Sequence, residues 1–188
     1  MENETNLDAY ANNLLKPVTS SFTTKLMIWV TFFGSSYFLF PAYTLLVGYY
    51  LFIRKKIKLA LDIAIIGFIG NRLLDLMKYI FHRHRPLDPI IKNVTGYSFP
   101  SGHSFSAYTF FGLLTYITWQ TQLQKVWKII LSVVFFLIAT LIATSRVYLH
   151  VHYASDVLGG FCLSIMWLLL SLWLLHKVDK KFLKKEDN

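Results

Sequence analysis

The sequence Ser145-Arg146-Val147-Tyr148-Leu149-His150-Val151-His152-Tyr153-Ala154-Ser155-Asp156 joins two long apolar segments. Ionisable side chains at the end of a membrane span are costly and usually serve a function. If the chain after Val151 is helical, His152 and Asp156 lie four residues apart on one helix face. The carboxylate can then hold one imidazole nitrogen and leave the other free as a nucleophile or general base. His150 is six residues from Asp156, a spacing that points the two side chains apart, so the pattern favours His152.

The composition is that of an integral membrane protein. The 188 residues are 55% hydrophobic and 17% aromatic, with only 15% charged residues, and the mean hydropathy is +0.46. A soluble domain of this length needs more polar surface. The formal net charge of +9 indicates membrane topology rather than nucleic-acid binding, because Lys and Arg cluster beside apolar spans. A single cysteine, Cys162, indicates neither an intramolecular disulfide nor a metal site.

The apolar segments predict an all-α, polytopic membrane helix bundle. Segment 22–33 is apolar but short, which predicts a helix lying in the membrane interface with Trp29 at headgroup level. Five spans are predicted after it, at 36–53, 59–80, 103–119, 129–145 and 155–175. The chain is thereby divided into a polar N-terminus with the interfacial helix (1–35), a transmembrane domain (36–176) and a basic cytoplasmic tail (177–188).

The distribution of basic residues predicts how the spans are oriented. The connection at 54–58 has four Lys or Arg residues, the turn at 120–128 has two and the tail has five. With five spans, these eleven of the nineteen basic residues share one face, which the positive-inside rule assigns to the cytoplasm. The N-terminus, the polar loop 81–102 and the connection 145–155 then share the extracytoplasmic face.

The span at 59–80 carries four charged residues, Asp62, Arg72, Asp75 and Lys78. One face of this helix is therefore expected to look into the protein rather than into lipid. Arg72 and Asp75 are three residues apart and belong to no wider constellation, which predicts a buried structural ion pair.

Two further polar stretches lie on the same predicted face as the opening sequence. Lys78 and Arg85 are seven residues apart, close to two helical turns, so both cations can share a helix face before Pro86. Pro100-Ser101-Gly102-His103 leads directly into the third span. It places a hydroxyl, a flexible backbone and an imidazole at a helix N-terminus, where anions bind. With Arg146, these groups form a site for a tetrahedral oxyanion, phosphate being the favoured one.

The other polar residues near span ends have simpler interpretations. Interfacial, headgroup or solvent contacts are expected for His82, His150, His176, Arg83 and Lys92. His82 and His84 have no third ligand at a supporting spacing, so no metal site is predicted. Gly159-Gly160, one turn after Asp156, predicts close helix packing near the site.

The three polar stretches together resemble the type 2 phosphatidic acid phosphatase (PAP2) superfamily of membrane lipid phosphatases, which shares its core with vanadium haloperoxidases. The motifs of that superfamily are K-x6-R-P, P-S-G-H and S-R-x5-H-x3-D. In this chain they stand in order, with every spacing met, as Lys78…Arg85-Pro86, Pro100-Ser101-Gly102-His103 and Ser145-Arg146…His152…Asp156. The resemblance covers roughly residues 36–176 and implies a PAP2-like catalytic domain with a haloperoxidase-like helical core.

The resemblance also implies a role for each motif residue. His152 would attack phosphorus to give a phosphohistidine, with Asp156 orienting it, and His103 would protonate the leaving lipid oxygen and later help to activate water. The phosphoryl oxygens would be bound by Lys78, Arg85, Ser101, the Gly102 N–H and Arg146. No metal or other cofactor is implied, which agrees with the lack of a carboxylate cluster suited to Mg²⁺ in the sequence.

The expected activity is dephosphorylation of a lipid phosphate or diphosphate at the outer face of the cell membrane. Undecaprenyl diphosphate, recycled for wall synthesis, and phosphatidylglycerophosphate are the favoured substrates, and a groove between spans would admit their chains from the bilayer. The expected partners are the membrane lipid and the bilayer, with no nucleic acid. Two alternatives are a phosphotransferase that passes the phosphoryl group to a lipid or sugar, and a non-catalytic membrane scaffold. Bacterial members usually have six spans, so either this is a five-span member or an upstream segment is missing from the sequence.

Overall fold

The computed structural model describes residues 4–92 and 94–186, with side chains as far as Lys177, and this part of the chain is helical throughout its regular structure. The elements are α1 (Asn6–Leu15), a 3₁₀ turn (Lys16–Val18), α2 (Ser21–Phe32), α3 (Ser36–Gly48), a π-helical turn (Tyr49–Ile53), α4 (Ile57–Phe81), α5 (Gly102–Trp119), α6 (Lys125–Tyr148) and α7 (Ala154–Glu186). The all-α prediction is confirmed.

Helix α5 is the centre of the bundle and packs against both α6 and α7. Its buried apolar residues recur along the whole helix, from Phe105 through Phe110 and Leu113 to Ile117. They contact α3 and α6 on one side and α4 and α7 on the other. A helix that is apolar on nearly all sides is expected at such a central position.

The long helices alternate in direction, so all three motifs lie at the same end of the bundle. Helices α4 and α6 end there, and α5 and α7 begin there. The Ser101 N–H donates to the Asp156 carbonyl at 3.0 Å, which joins the starts of α5 and α7. At the other end a cavity is lined by Lys55, Lys56 and His176, among other residues. The basic connections and the motif residues therefore lie at opposite ends, as the sequence predicts.

Within the described residues, three segments are long and apolar enough to cross a membrane: Ser21–Ile53, Lys125–Tyr148 and Ala154–Lys177. Helices α4 and α5 have 25 and 18 residues, but their charged and polar side chains make them less apolar. The count of five spans stays a prediction. The segments expected to be an interfacial helix and a first span are separated only by the short turn at 33–35.

The expected burial of the Arg72–Asp75 pair is wrong. The two side chains approach to 3.7 Å, but they are 68% and 62% exposed. The buried stripe of α4 runs through Ile63, Ile66 and Leu74, and positions 72 and 75 lie off that stripe.

Both ends of the chain are more regular than the sequence predicts. Residues before Pro17 were expected to be simply polar, yet Asn6–Leu15 forms α1, which begins with a capping box between Thr5 and Asp8. At the other end α7 continues to Glu186, so most of the predicted tail at 177–188 is helical. Residues 187–188 lie outside the described part of the chain.

Candidate active site

His152 lies in the turn between α6 and α7 and is only 3% exposed. Its Nε2 is 3.2 Å from Nη1 of Arg85, and its Nδ1 is 3.5 Å from Oδ2 of Asp156. A guanidinium can only donate, so Nε2 must carry the lone pair and Nδ1 the proton. The neutral imidazole therefore turns its unprotonated nitrogen toward the cations and its N–H toward the carboxylate.

Asp156 is held by three donors and is fully buried. The Tyr153 N–H donates to its Oδ2 at 2.8 Å, and the Ser98 hydroxyl donates to the same oxygen. Nδ1 of His152 lies 3.3 Å from Oγ of Ser98. The third donor is Arg83, 2.7 Å from Oδ1. Because the Ser98 hydroxyl donates its proton to Asp156, its oxygen can accept a hydrogen bond from Nδ1–H of His152. Ser98 thus forms a second link between the imidazole and the carboxylate.

The environment of His152 keeps its imidazole neutral. Burial lowers the pKa of His152 to about 4; the positive charges of Arg85 and Arg146 act in the same direction, while the hydrogen bond to Asp156 opposes them. The ring is therefore unprotonated at neutral pH, which is the state a nucleophilic or basic histidine needs.

Lys78 and Arg85 reach the site from different structures, which corrects the prediction of a shared helix face. Helix α4 ends at Phe81, because His82 adopts a left-handed conformation with φ 46°. Lys78 is in the last helical turn and donates to the Tyr97 carbonyl at 2.7 Å. Arg85 lies in the following loop and donates to the Val151 carbonyl at 2.8 Å. The two cations converge although the helix does not extend to Arg85.

Arg146 and His103 are held in part by the N-terminal segment. Nη1 of Arg146 donates to the Thr31 hydroxyl at 2.6 Å. Among the described residues, Nε of this buried guanidinium has no acceptor. A Cβ added to Gly34 would lie 3.1 Å from the His103 ring, so the turn after α2 packs directly on that imidazole. His103 lies within electrostatic range of the motif cations and of His152.

Ser101 and Gly102 form the start of α5. The Ser101 side chain accepts from the Ser104 N–H at 3.4 Å and caps the helix. A Cβ on Gly160 would lie 2.7 Å from the Ser101 carbonyl, and one on Gly159 would clash with the Phe99 ring. The close packing predicted for these two glycines is therefore present. A Cβ on Gly102, in contrast, would make ordinary contacts with Leu74 and Lys78.

Three residues of this region were not identified from the sequence. Arg83, expected to be a headgroup or solvent contact, instead binds Asp156, because α4 stops early and the chain turns inward. Ser98 precedes the second motif by two residues, and no spacing rule singles it out. Asp8, on α1, is fully buried and binds Arg83. The N-terminal segment is polar, and nothing in its sequence indicates a contact with Ser155.

A buried neutral histidine between a carboxylate and an arginine, at the end of a helix bundle and beside further cations, suits phosphoryl transfer. The sequence matches the PAP2 superfamily over residues 55–180. The chain belongs to this family, so the predicted resemblance to it is confirmed. It is a lipid phosphatase, and thus a hydrolase, of the membrane.

Two relatives illustrate the similarity in sequence. Phosphatidylglycerophosphatase B of Bacillus subtilis is 32% identical over 167 residues, which make up 86% of this chain and 79% of that protein. Undecaprenyl-diphosphatase of Sulfolobus acidocaldarius is 28% identical over 144 residues, 73% of this chain and 64% of that protein.

Two solved structures have a similar fold. The crystal structure of a transmembrane PAP2 type phosphatidylglycerolphosphate phosphatase from Bacillus subtilis has a TM-score of 0.80 and 27% sequence identity, covering 93% of this chain and 85% of that chain. LpxE of Aquifex aeolicus has a TM-score of 0.69 and 23% identity, covering 89% of this chain and 96% of that chain. The second similarity supports the fold alone.

Proposed function

We propose that this protein hydrolyses a lipid phosphate or diphosphate at the outer face of the membrane, without a metal, through a phosphohistidine on His152. The observation that carries the proposal is the position of His152. Its unprotonated Nε2 lies beside Arg85, where a phosphoryl group would bind, and its protonated Nδ1 faces Asp156. The imidazole is therefore oriented and already neutral, with a free lone pair on Nε2, before any substrate arrives.

The reaction has two steps. In the first, the Nε2 lone pair forms a bond to phosphorus as the bond from phosphorus to the lipid oxygen breaks, and His103 gives its proton to that oxygen. In the second, water attacks the phosphohistidine and His103 takes up a proton from it, so phosphate leaves and Nε2 regains its lone pair. Asp156 stabilises the positive charge on the phosphorylated imidazole.

The surrounding groups supply the charge stabilisation that dominates phosphoryl transfer. Lys78, Arg85 and Arg146 would bind the phosphoryl oxygens. The unpaired Nε of buried Arg146 is a donor suited to this task. At the start of α5, Ser101 and the Gly102 N–H would add hydrogen bonds to the oxyanion. The ordinary contacts that a Cβ on Gly102 would make support this role, because protein packing alone does not require a glycine there.

A cavity of about 410 Å³ lies between α3, α4 and α5 and is suited to the lipid chain. Its walls include Leu39, Tyr43, Phe68 and Phe105. Phe105 is two residues from His103 on α5, so the cavity begins close to the active site. Ligand sites of this size are usually lined by apolar side chains and have few polar groups. An acyl or prenyl chain bound here would leave its phosphate at the helix ends.

The clustering of basic residues at the opposite end of the bundle favours an outward-facing active site. Phosphatidylglycerophosphate and undecaprenyl diphosphate are the favoured substrates, because relatives named for these activities match most of this chain.

The test uses purified protein and a panel of undecaprenyl diphosphate, phosphatidylglycerophosphate and phosphatidate, with phosphate release measured with and without EDTA. We expect release from at least one lipid and no loss with EDTA. His152→Asn should lower turnover by more than ~10³-fold, while His150→Asn, in the same turn at a φ of 54° that Asn tolerates, should not.

Two results would count against the proposal. One is a panel in which no lipid releases phosphate. The other is an active His152→Asn variant, which would rule out a phosphohistidine at this position. Label appearing on an added lipid or sugar, rather than as free phosphate, would identify a phosphotransferase instead.

A further inference from the structure

Asp8 is a buried carboxylate far from the motifs in sequence, yet it lies directly behind them in space. It is on α1 and has no exposed surface. Its Oδ1 accepts from the N–H and the hydroxyl of Ser155, both at 2.8 Å. Its Oδ2 lies 3.1 Å from Nη2 of Arg83. A fully buried carboxylate is rare unless paired, and here both oxygens are used.

Arg83 joins this carboxylate to the one that supports His152. Nη1 of Arg83 is 2.7 Å from Oδ1 of Asp156, while Nη2 faces Asp8. The guanidinium also stacks on the Tyr153 ring at 4.2 Å, and its side chain is 15% exposed. A guanidinium is planar and carries N–H donors on more than one edge, so it can bridge two carboxylates in a fixed geometry.

The charges of these three groups sum to one negative charge behind the nucleophile. If Asp8 were neutral, the positive charge of Arg83 would fall on Asp156 alone, and the pair would have no net charge. Charges interact strongly in a buried environment. Asp156 would then stabilise the positive imidazole of the phosphohistidine less well. The burial of Asp8 therefore has an electrostatic consequence as well as a structural one.

We propose that Asp8 is a positioning residue of the active site, which shares Arg83 with Asp156 so that Asp156 keeps the negative charge that His152 needs. The inference rests on the proposed function, since it assigns His152 the attacking role. It makes the first helix of the chain a part of the catalytic apparatus. Asp8 acts through Arg83 and Asp156 and does not touch the substrate.

The test is a charge-compensation experiment in the full-length protein. Phosphate release from phosphatidate in detergent is measured for Asp8→Asn, Arg83→Gln and the double variant, with thermal unfolding recorded for each. We expect Asp8→Asn to lower kcat by about 10-fold or more, with KM changed less than about twofold. The double variant restores one net negative charge and should turn over faster than Asp8→Asn. Glu4→Gln, an exposed acid-to-amide change two residues before α1 at a side chain that hydrogen-bonds to Asn12, is the matched control.

The alternative role for Asp8 is to anchor α1 to α7, and the double variant separates the two. An anchor predicts that Asp8→Asn lowers activity in the Arg83→Gln background as well, and that outcome would overturn the proposal. So would an Asp8→Asn variant with unchanged kcat. If Asp8→Asn alone does not fold, the comparison of Arg83→Gln with the double variant still decides, because the proposal predicts no further loss of activity once Arg83, through which Asp8 acts, is gone. Loss of activity in His152→Asn tests the proposed function independently of Asp8.

Discussion

Nε2 of His152 and Nη1 of Arg85 lie 3.2 Å apart, so a permanent donor faces the nitrogen assigned to nucleophilic attack. This contact both identifies the tautomer and disfavours protonation of the ring. It also means that Arg85 must give up or share this contact when a phosphoryl group enters. The charge that prepares His152 is thus the charge that then binds the substrate.

The ionisation of His152 can be measured directly. In protein labelled with ¹⁵N-histidine, the resonance that disappears in His152→Asn should titrate with a midpoint near pH 4. The ring is protonated below that midpoint and neutral above it, with the proton on Nδ1. Arg85→Gln should raise the midpoint, because it removes a positive neighbour. A wild-type midpoint at or above 6.5 would contradict the electrostatics described for the site.

Gly102 and Gly160 should respond differently to the same substitution. Gly102→Ala adds a methyl with ordinary contacts, so the protein should fold normally while kcat/KM falls by roughly 10-fold or more, because the methyl obstructs the approach of the oxyanion to the helix N-terminus. Gly160→Ala places a Cβ 2.7 Å from the Ser101 carbonyl and should lower stability by about 1–3 kcal/mol. Thermal unfolding and kinetics on the same samples check both. Equal losses of stability would show that Gly102 is a packing residue.

Thr31 supports Arg146 from the N-terminal segment. Thr31→Val keeps the shape of the side chain but removes the acceptor 2.6 Å from the guanidinium. We expect a several-fold rise in KM and a loss of about 1–3 kcal/mol in stability, because a buried donor is left unsatisfied. Thr24→Val, which removes a 3.0 Å contact with the Tyr148 hydroxyl from the same helix, should leave KM unchanged. A normal KM in Thr31→Val would show that Arg146 is placed without this contact.

The cavity between α3, α4 and α5 can be filled from α4. Ala64 lines it, and Ala64→Trp should raise KM for a long-chain phosphatidate at least several-fold more than for a short-chain one, because only the long chain needs the occupied volume. Leu61→Trp, on an exposed position of α4 outside the cavity, is the control. If chain length makes no difference in Ala64→Trp, the lipid chain lies elsewhere.

The orientation of the bundle can be tested with an impermeant thiol reagent on intact cells. In a Cys162→Ser background, Leu87→Cys in the loop after α4, where the side chain is 82% exposed, should be labelled from outside. Gln122→Cys, in the turn between α5 and α6, should be labelled only after the cells are opened. The reverse pattern would place the active site in the cytoplasm.

The sequence predicts the helical architecture and the motif residues because both depend on spacing along the chain. Apolar runs indicate the helices, and the positions of Lys78, His103 and His152 within their motifs bring them to one end of the bundle. What the sequence does not predict depends on contacts between distant segments. Asp8 and Ser155 are 147 positions apart, and nothing near either residue indicates the other.

Local geometry explains the remaining differences. The left-handed conformation of His82 ends α4 at Phe81, five residues before Pro86, whereas the sequence predicts that the helix continues to the proline. That early turn brings Arg83 inward and takes Arg85 off the helix. The Arg72–Asp75 pair differs from the prediction in the other direction, because it is exposed where burial was expected. The two residues lie outside the buried stripe of α4.

The alternating directions of the four long helices also shape the field in which the reaction occurs. Two helices begin at the site, so the positive ends of their dipoles face an incoming anion. Two helices end there, and each carries a cation in its last turn, Lys78 and Arg146, where the carbonyl ends favour positive charge. The bundle thus places four positive elements around one anion: two helix N-termini and the side chains of Lys78 and Arg146. The negative ends of α4 and α6 offset part of the repulsion between these positive charges.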